Sequence, residues 1–279
     1  MIDLLSITNS PELAAQCDAM PGMRLFVDLE RNGKAERQAG RNTFISTHQL
    51  ADVGRIKAVL KKSRLMVRVN PCDLGALEAT RMEVDAVLAQ GADLLMLPMF
   101  TSADELQTFA SIVAGRVPFV PLLETAGALA SLEEWVDCPG IHEVFVGLND
   151  LHLSLGCRFM FEPLLHGHVD RVAAVTRQRG LRFGFGGIAR VDEGLLPGRD
   201  VLAEHMRLGS RAVILSRTFN RRASPADGDT SFEQAVTDLR EAEVGLVLRA
   251  PEQIEADRLR VSVVIRHLAE QSGQSGSRP

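Results

Sequence analysis

Two carboxylates, Asp28 and Glu30, stand at the end of a short apolar run (Arg24–Leu29, RLFVDL). An arginine, Arg68, sits inside a second run (Arg64–Val69, RLMVRV) with Asn70 just beyond it. Glu124 lies in Pro121-Leu-Leu-Glu-Thr125, and Asn149 and Asp150 lie in Gly147-Leu-Asn-Asp-Leu151. Glu124 and Asp150 follow neighbouring runs, so their carboxylates can meet. Two carboxylates side by side repel unless a proton or a cation sits between them. A hard cation such as Mg2+ (or Mn2+) is held by one or two carboxylates and keeps positions open for water and substrate. An ion held this way polarises a carbonyl oxygen and stabilises an enolate. Arg68 offers a planar fork that grips a carboxylate or oxo group through two nitrogens. The structural alternatives are a salt bridge or helix cap for each acid, and an Arg68 paired with Asp28 or Glu30 in the interior. Asp28 and Glu30 then act through Arg68 by fixing its orientation.

Further candidates are weaker. Arg190 follows Gly184, Gly186 and Gly187, and Arg217 follows a later apolar run; both are candidates for a distal carboxylate or phosphate, with surface salt bridges as the alternative. Backbone N–H groups at Asn149 and Asp150, opening a helix, can cradle an anion. Of the seven histidines, His48, His142, His152, His166, His168 and His205 are scattered, and His166 and His168 lack the spacing of a zincin pair. Ser154 and Ser216 have no evident His/Asp companions. The chain has no tyrosine, and neither a phosphate-binding P-loop nor a dinucleotide fingerprint is present.

These residues must be positioned by something. Eight short apolar runs recur: Ile2–Ile7, Arg24–Leu29, Arg64–Val69, Asp93–Leu97, Pro118–Leu122, Glu143–Gly147, Arg182–Phe185 and Ala212–Leu215. Their length and composition predict strands covered on both faces. Helical patterns lie between them. Pro11–Met20 begins with Ser10 as N-cap and Pro11 in the first turn. His48–Lys62 carries an apolar stripe, Leu74–Gln90 stops at Gly91, and Ser102–Glu105 has capping-box spacing. Later helices are predicted at Phe161–Arg179, Val201–Leu208, Ser231–Arg249 and Pro251–Gln271. Strands alternating with helices predict a parallel sheet, and eight units predict closure into a (β/α)8 barrel (an α/β fold of the TIM type) with extra C-terminal helices. An open doubly wound sheet is the rival. In a barrel the chemistry sits past the C-terminal strand ends, which is where the acids and arginines fall. The expected organisation is one domain over 1–271 and a disordered tail over 272–279, where SGQSGSRP is polar and rich in glycine and serine. The long polar loop Glu30–Thr47 is a candidate functional loop.

Composition narrows the field. The net charge of −5 gives no general attraction to nucleic acid or anionic membrane. No stretch approaches the ~20 apolar residues of a membrane span, and Met1–Leu5 lacks the pattern of a secretory signal. Cys17, Cys72, Cys138 and Cys157 are far apart and never form a CxxC, so we read them as reduced thiols of a cytoplasmic protein, not as a cysteine-built zinc site.

At Val27-Asp-Leu-Glu30, Val67-Arg-Val-Asn70, Met96-Leu-Pro98, Pro121-Leu-Leu-Glu-Thr125 and Gly147-Leu-Asn-Asp-Leu151 the chain resembles the HpcH/HpaI aldolase and citrate lyase β-subunit-like superfamily. The resemblance covers roughly residues 24 to 217. It implies a (β/α)8 barrel, Mg2+ or a similar ion held by Glu124 and Asp150, and reversible carbon–carbon cleavage of a 2-oxo- or hydroxy-acid. It also implies that Arg68 holds the oxo group and shares the enolate charge, and that the chain assembles as a trimer or hexamer. The chain departs from the family pattern at Arg31, Met99 and Leu122, where members carry an acid or His, a Lys, and a Gln. Two other functions remain open. One is a phosphoenolpyruvate- or phosphosugar-directed transferase or lyase using Arg190 and Arg217; the other is a non-catalytic binding barrel.

Overall fold

The computed structural model describes residues 1–33, 47–220 and 231–275. Eight parallel strands close into a barrel in sequence order: β1 (Asp3–Ile7), β2 (Met23–Asp28), β3 (Leu65–Arg68), β4 (Leu94–Leu97), β5 (Phe119–Leu123), β6 (Glu143–Val146), β7 (Arg182–Ile188) and β8 (Ala212–Leu215). The ring is completed by β1 pairing β8, with Leu5 opposite Ile214. The open-sheet rival is excluded, and each predicted strand falls within a few residues of its expected place.

Strand side chains alternate between faces, and the alternation sorts the core into two parts. Leu5, Phe26, Met66, Leu94, Met96, Val120, Leu122, Phe145 and Ala212 point inward and fill the barrel. The odd partners, such as Leu4, Leu25, Val67, Leu95, Leu123 and Val144, point outward beneath the helices. The inward stripe tolerates little bulk where β7 passes: a Cβ on Gly184 would meet Phe145 and the Ala212 carbonyl at 2.8 Å. Glycine there lets the filled interior close.

The outer layer begins with α1 (Pro11–Ala19), capped as predicted by Ser10, whose hydroxyl accepts the Leu13 N–H. α2 (Leu50–Val59), α3 (Leu77–Ala89) and α4 (Ala103–Val113) follow. Ser102 caps α4, but Glu105 turns back to Thr101 and not to Ser102, so only half of the predicted box forms. Two short helices, α5 (Ala126–Ala130) and α6 (Leu132–Trp135), were not predicted. Past β6 comes α7 (Leu148–Ser154). The helix predicted over Phe161–Arg179 is two, α8 (Glu162–Leu165) and α9 (His168–Gln178). They are broken at Gly167, whose φ of 74° no continuing helix adopts.

α10 (Gly198–Leu208) precedes β8, and α11 (Phe232–Val247) and α12 (Pro251–Ser275) close the chain. α12 seats Val261, Ile265 and Ala269 against the barrel's outer helices. It runs to Ser275, into the segment expected to be a disordered tail, because the helical hydrogen-bond pattern carries past the last apolar contact. Residues 276–279 lie outside the described residues, as does most of the predicted functional loop, 34–46. No described helix is long and apolar enough to cross a membrane.

Candidate active site at the C-terminal mouth

The inward stripe continues past the hydrophobic filling at both ends of the barrel, and at each end it becomes charged. Two residues before the buried Leu5, Phe26 and Phe145 stand Asp3, Arg24 and Glu143, with Arg182 beside them on β7. These four form the floor. Arg24 pairs with Glu143 and, at 2.7 Å, with Asp3; Arg182 reaches Asp3 at 2.6 Å and Glu143 at 3.3 Å. Burial works against the charge on Arg24, but Glu143 and Asp3 outweigh it and raise its pKa. Two acids meet two arginines, so the floor is neutral and closed.

The mouth is built by the same rule. Two residues after Phe26 comes Asp28, then Glu30; two after Met66 comes Arg68; two after Leu122 comes Glu124. β2 and β3 pair with Asp28 opposite Arg68. Arg68 therefore donates from Nε and Nη2 to the two oxygens of Asp28, both at 2.8 Å, and its Nε lies 3.4 Å from Glu30. Its guanidinium also rests over the Phe26 ring at 5.6 Å. Burial disfavours the charge on Arg68, yet Asp28, Glu30 and Glu124 together hold its pKa above the ordinary arginine value.

Asp28 and Glu30 are locked in turn. The Asp28 N–H donates to His48 Nδ1, and the Glu30 N–H to Asp28 Oδ1. The structure shows Arg68 paired in the interior with Asp28 and Glu30. Asp28 takes the Nε–Nη2 edge, and among the described residues Nη1 makes no hydrogen bond.

Glu124 is 2% exposed. Burial is the largest cause that pushes its carboxyl up to about 8; Arg68 opposes this, while Asp150 and Glu30 add to it. Its position is set by two backbone features. The Met99 N–H donates to Oε1 at 3.0 Å, from a residue held at φ 57°, which is rare for a side chain of this type. On the other side, Gly147 leaves the room: a Cβ there would lie 2.8 Å from Oε2 and 2.9 Å from the Glu124 Cβ. Met99 and Gly147 are contributors that sequence reasoning missed as such. A lone glycine carries no chemical signal, and Met99 acts through its main chain.

Asn149 and Asp150 occupy the first turn of α7, both half-buried, and Asp150 is close enough to raise the Glu124 pKa. α7 is tied to the Glu124 segment by Ser154, whose hydroxyl accepts the Ala126 N–H at 2.8 Å. Asn70 spends its amide on the loops: its oxygen accepts from Arg31 and Asn32 N–H, and its NH2 group donates to Glu83. Of the two distal arginines, Arg190 is buried after β7 and Arg217 is exposed on the 3-10 turn after β8. The Arg190 N–H donates to Thr218 Oγ1 at 3.3 Å, so the two segments adjoin. His152 is buried with Nδ1 on the Leu148 carbonyl. His205 is wholly buried and stacked on Phe185 at 3.7 Å, and burial lowers its pKa to about 3.

Among the described residues, Asp28, Glu30, Glu124 and Asp150 interact at the mouth with Arg68 or with one another. Glu124 and Asp150 act on each other as like charges, which a divalent cation between them would relieve, and oxygen-only ligands suit Mg2+ or Mn2+.

A closed parallel barrel with such a mouth has the architecture of enzymes whose chemistry is done at the strand ends. The chain belongs to the HpcH/HpaI aldolase/citrate lyase family, whose profile matches residues 4–181. A (3S)-malyl-CoA thioesterase of Cereibacter sphaeroides (strain ATCC 17025 / ATH 2.4.3) is 31% identical over 158 residues, 56% of this chain and 52% of that protein. The match therefore spans about half the relative's length. Solved structures with the same fold include an HpcH/HpaI aldolase/citrate lyase family protein from Burkholderia cenocepacia J2315 (TM-score 0.60, 18% identity, 86% of this chain and 95% of that one). Another is an HpcH/HpaI aldolase from Desulfitobacterium hafniense DCB-2 (0.57, 14%, 86% and 93%). A third is a citrate lyase from Burkholderia xenovorans LB400 (0.59, 15%, 98% and 83%).

Proposed function

We propose that the chain is a divalent-metal-dependent carbon–carbon lyase that cleaves a 2-oxo- or hydroxy-acid, or its acyl derivative, by way of an enolate. The observation that carries the reading is the pair Glu124 and Asp150: a buried carboxylate whose pKa is raised by burial and by the neighbouring acid, beside an arginine pinned by Asp28 and Glu30. Family membership supports the reaction class. Glu124 and Asp150 would hold the ion, which when bound supplies Lewis-acid polarisation of a carbonyl oxygen.

The chain's own residues do the rest. Arg68, pinned by Asp28 and Glu30, presents Nη1 toward the oxygen on which negative charge develops. A donor fixed before the reaction costs no reorganisation when the charge appears. His48 holds the Asp28 main chain, and hence the fork, in place. Arg190 and Arg217 would take the far end of the substrate. The same reading carries a small oxo-acid or acyl substrate, with no nucleic-acid or membrane partner. It also carries assembly as a trimer or hexamer, which sedimentation measures.

Calorimetry with Mg2+ and Mn2+ tests the site, on the parent and on Glu124→Gln and Asp150→Asn. The expected result is binding to the parent near one equivalent and its loss in either variant. Binding that is absent from the parent, or unchanged in both variants, overturns the assignment and moves the phosphate-directed and non-catalytic alternatives forward.

A second reading is thioester hydrolysis, favoured by the thioesterase relative. A β-hydroxyacyl thioester separates the two. Carbon–carbon cleavage yields a carbonyl compound trapped by a hydrazine and leaves the thioester intact, whereas hydrolysis yields a free thiol and no new carbonyl compound.

A further inference from the structure

The helix that carries Asp150 ends at Ser154, and Gly156, at φ 72°, turns the chain away from it. The next residues bring together three side chains that the mouth does not use. The Cys157 thiol, a Glu162 carboxylate oxygen and a His166 ring nitrogen all lie within 4.8 Å of one another. Among the described residues they form the one group of three such ligand atoms. His166 Nε2 and Glu162 Oε1 are 3.8 Å apart. Zinc bonds of about 2.0–2.2 Å to nitrogen and oxygen, arranged tetrahedrally, put ligand atoms roughly 3.4 Å apart, so this edge is nearly at its closed length. Bringing in the thiol takes about 1 Å more, within reach of side-chain rotation.

The cluster is held from several sides. The Cys157 N–H donates to the His152 carbonyl at 2.8 Å, which fixes the cysteine to the end of α7. Glu162 divides its two oxygens. Oε2 accepts the Arg158 and Phe159 N–H groups at 2.5 and 2.7 Å, while Oε1 is the oxygen turned to His166. His166 sits one helical turn from Glu162, with its N–H on the Glu162 carbonyl at 2.9 Å. Buried Phe159 and Phe161, rings 5.5 Å apart, anchor the segment between them. The burial is graded: Cys157 and Glu162 are half-buried and His166 is exposed, so a fourth position faces water.

We propose that Cys157, Glu162 and His166 form a second metal site, for a zinc-class divalent ion, with its fourth position open to water or a small ligand. The ligand set decides the class. A thiolate and an imidazole favour Zn2+ or Co2+ and give Mg2+ little, whereas the oxygen-only mouth suits Mg2+. On binding, the thiol loses its proton to solvent and the neutral imidazole gives its lone pair; nothing is oxidised or reduced. The site adjoins the end of α7, whose axis rises about 6 Å from Asp150 to Ser154 at 1.5 Å per residue. A bound ion would clip the 155–166 segment to the helix that positions Asp150. The proposal does not depend on the lyase reading.

The test uses the full, untagged, reduced chain with Mg2+ held at saturation, titrated with Co2+ and then Zn2+. The expected result is one equivalent of Co2+ with a thiolate-to-cobalt charge-transfer band, displaced by Zn2+ and not by added Mg2+. The band disappears in Cys157→Ser and persists in Cys138→Ser, the other half-exposed thiol. In His166→Asn the affinity falls by about tenfold or more, since even partners that only support a ligand cost about that much. His166 is exposed, so that variant folds and decides the matter even if Cys157→Ser is unstable. The proposal is overturned by the absence of a band in the parent, by a band that survives in both Cys157→Ser and His166→Asn, or by displacement with Mg2+.

Discussion

Replacing Glu124 by glutamine in the metal-free protein isolates the cost of burying the Glu124 charge. The folded chain holds the Glu124 proton up to about pH 8, chiefly because the group is buried, while an ordinary glutamate releases it near 4.5. Between those values the unfolded chain has lost a proton that the folded chain keeps, so raising the pH favours unfolding. The penalty is nil below about pH 4.5, grows through the interval, and levels off above about pH 8. At 1.36 kcal/mol per pH unit its ceiling is roughly 5 kcal/mol. Glutamine has the same shape, still accepts the Met99 N–H, and carries no proton to lose.

In urea unfolding with a chelator present, Glu124→Gln should therefore match the parent within about 1 kcal/mol at pH 5. At pH 8.5 it should exceed the parent by roughly 2–4 kcal/mol, the ceiling being softened by relaxation around the charge. Adding Mg2+ in large excess should reverse the order. An ion at a thousand times its Kd contributes about 4.1 kcal/mol to the parent and nothing to a variant that does not bind it. A parent whose stability is flat from pH 5 to 8.5, or a variant that is the less stable of the two at pH 8.5 without metal, would refute the reasoning.

Three further outcomes follow from particular contacts. Gly147→Ala drives a methyl into Glu124, so it should weaken Mg2+ affinity by tenfold or more, about 1.4 kcal/mol, while the circular dichroism spectrum stays native; unchanged affinity would show that Glu124 does not depend on that space. Arg24→Met leaves the fully buried Glu143 with only the partly exposed Arg182 as an ion-pair partner and should cost up to about 3–5 kcal/mol in chemical denaturation, with part of it recovered in Arg24→Met/Glu143→Leu. No recovery in the double variant would mean that the loss is packing and not charge. His205, buried and lowered to about 3, should show no imidazole titration by NMR above pH 5. Since the unfolded chain protonates it near 6.5, its neutral burial contributes stability above that pH which is lost progressively as the pH falls toward 3. A His205 resonance titrating near pH 6.5 would contradict the burial argument.

The sequence by itself determined the strands, the barrel and the ends of the strands that face the mouth. Eight short apolar runs between helical patterns favour closure into a barrel over the open doubly wound rival. A period of two then forces Asp28, Arg68 and Glu124 inward, because each lies two residues beyond an inward apolar side chain. Helix N-caps were legible for the same reason: Ser10 and Ser102 act on residues three positions away. Local patterns were misread where the break is a single backbone angle, as at Gly167, or where the element is a few residues long, as in Ala126–Trp135.

What only the tertiary structure decided is which inward residues become neighbours. The β2–β3 register sets Asp28 against Arg68, and crossing the barrel sets Arg24 against Glu143, 119 positions away. Met99 reaches Glu124 by its main chain, and turns after α7 collect Cys157, Glu162 and His166. Periodicity fixes the face a side chain occupies. Register, ring closure and backbone turns fix its partners, and these depend on contacts between segments that the linear order keeps apart.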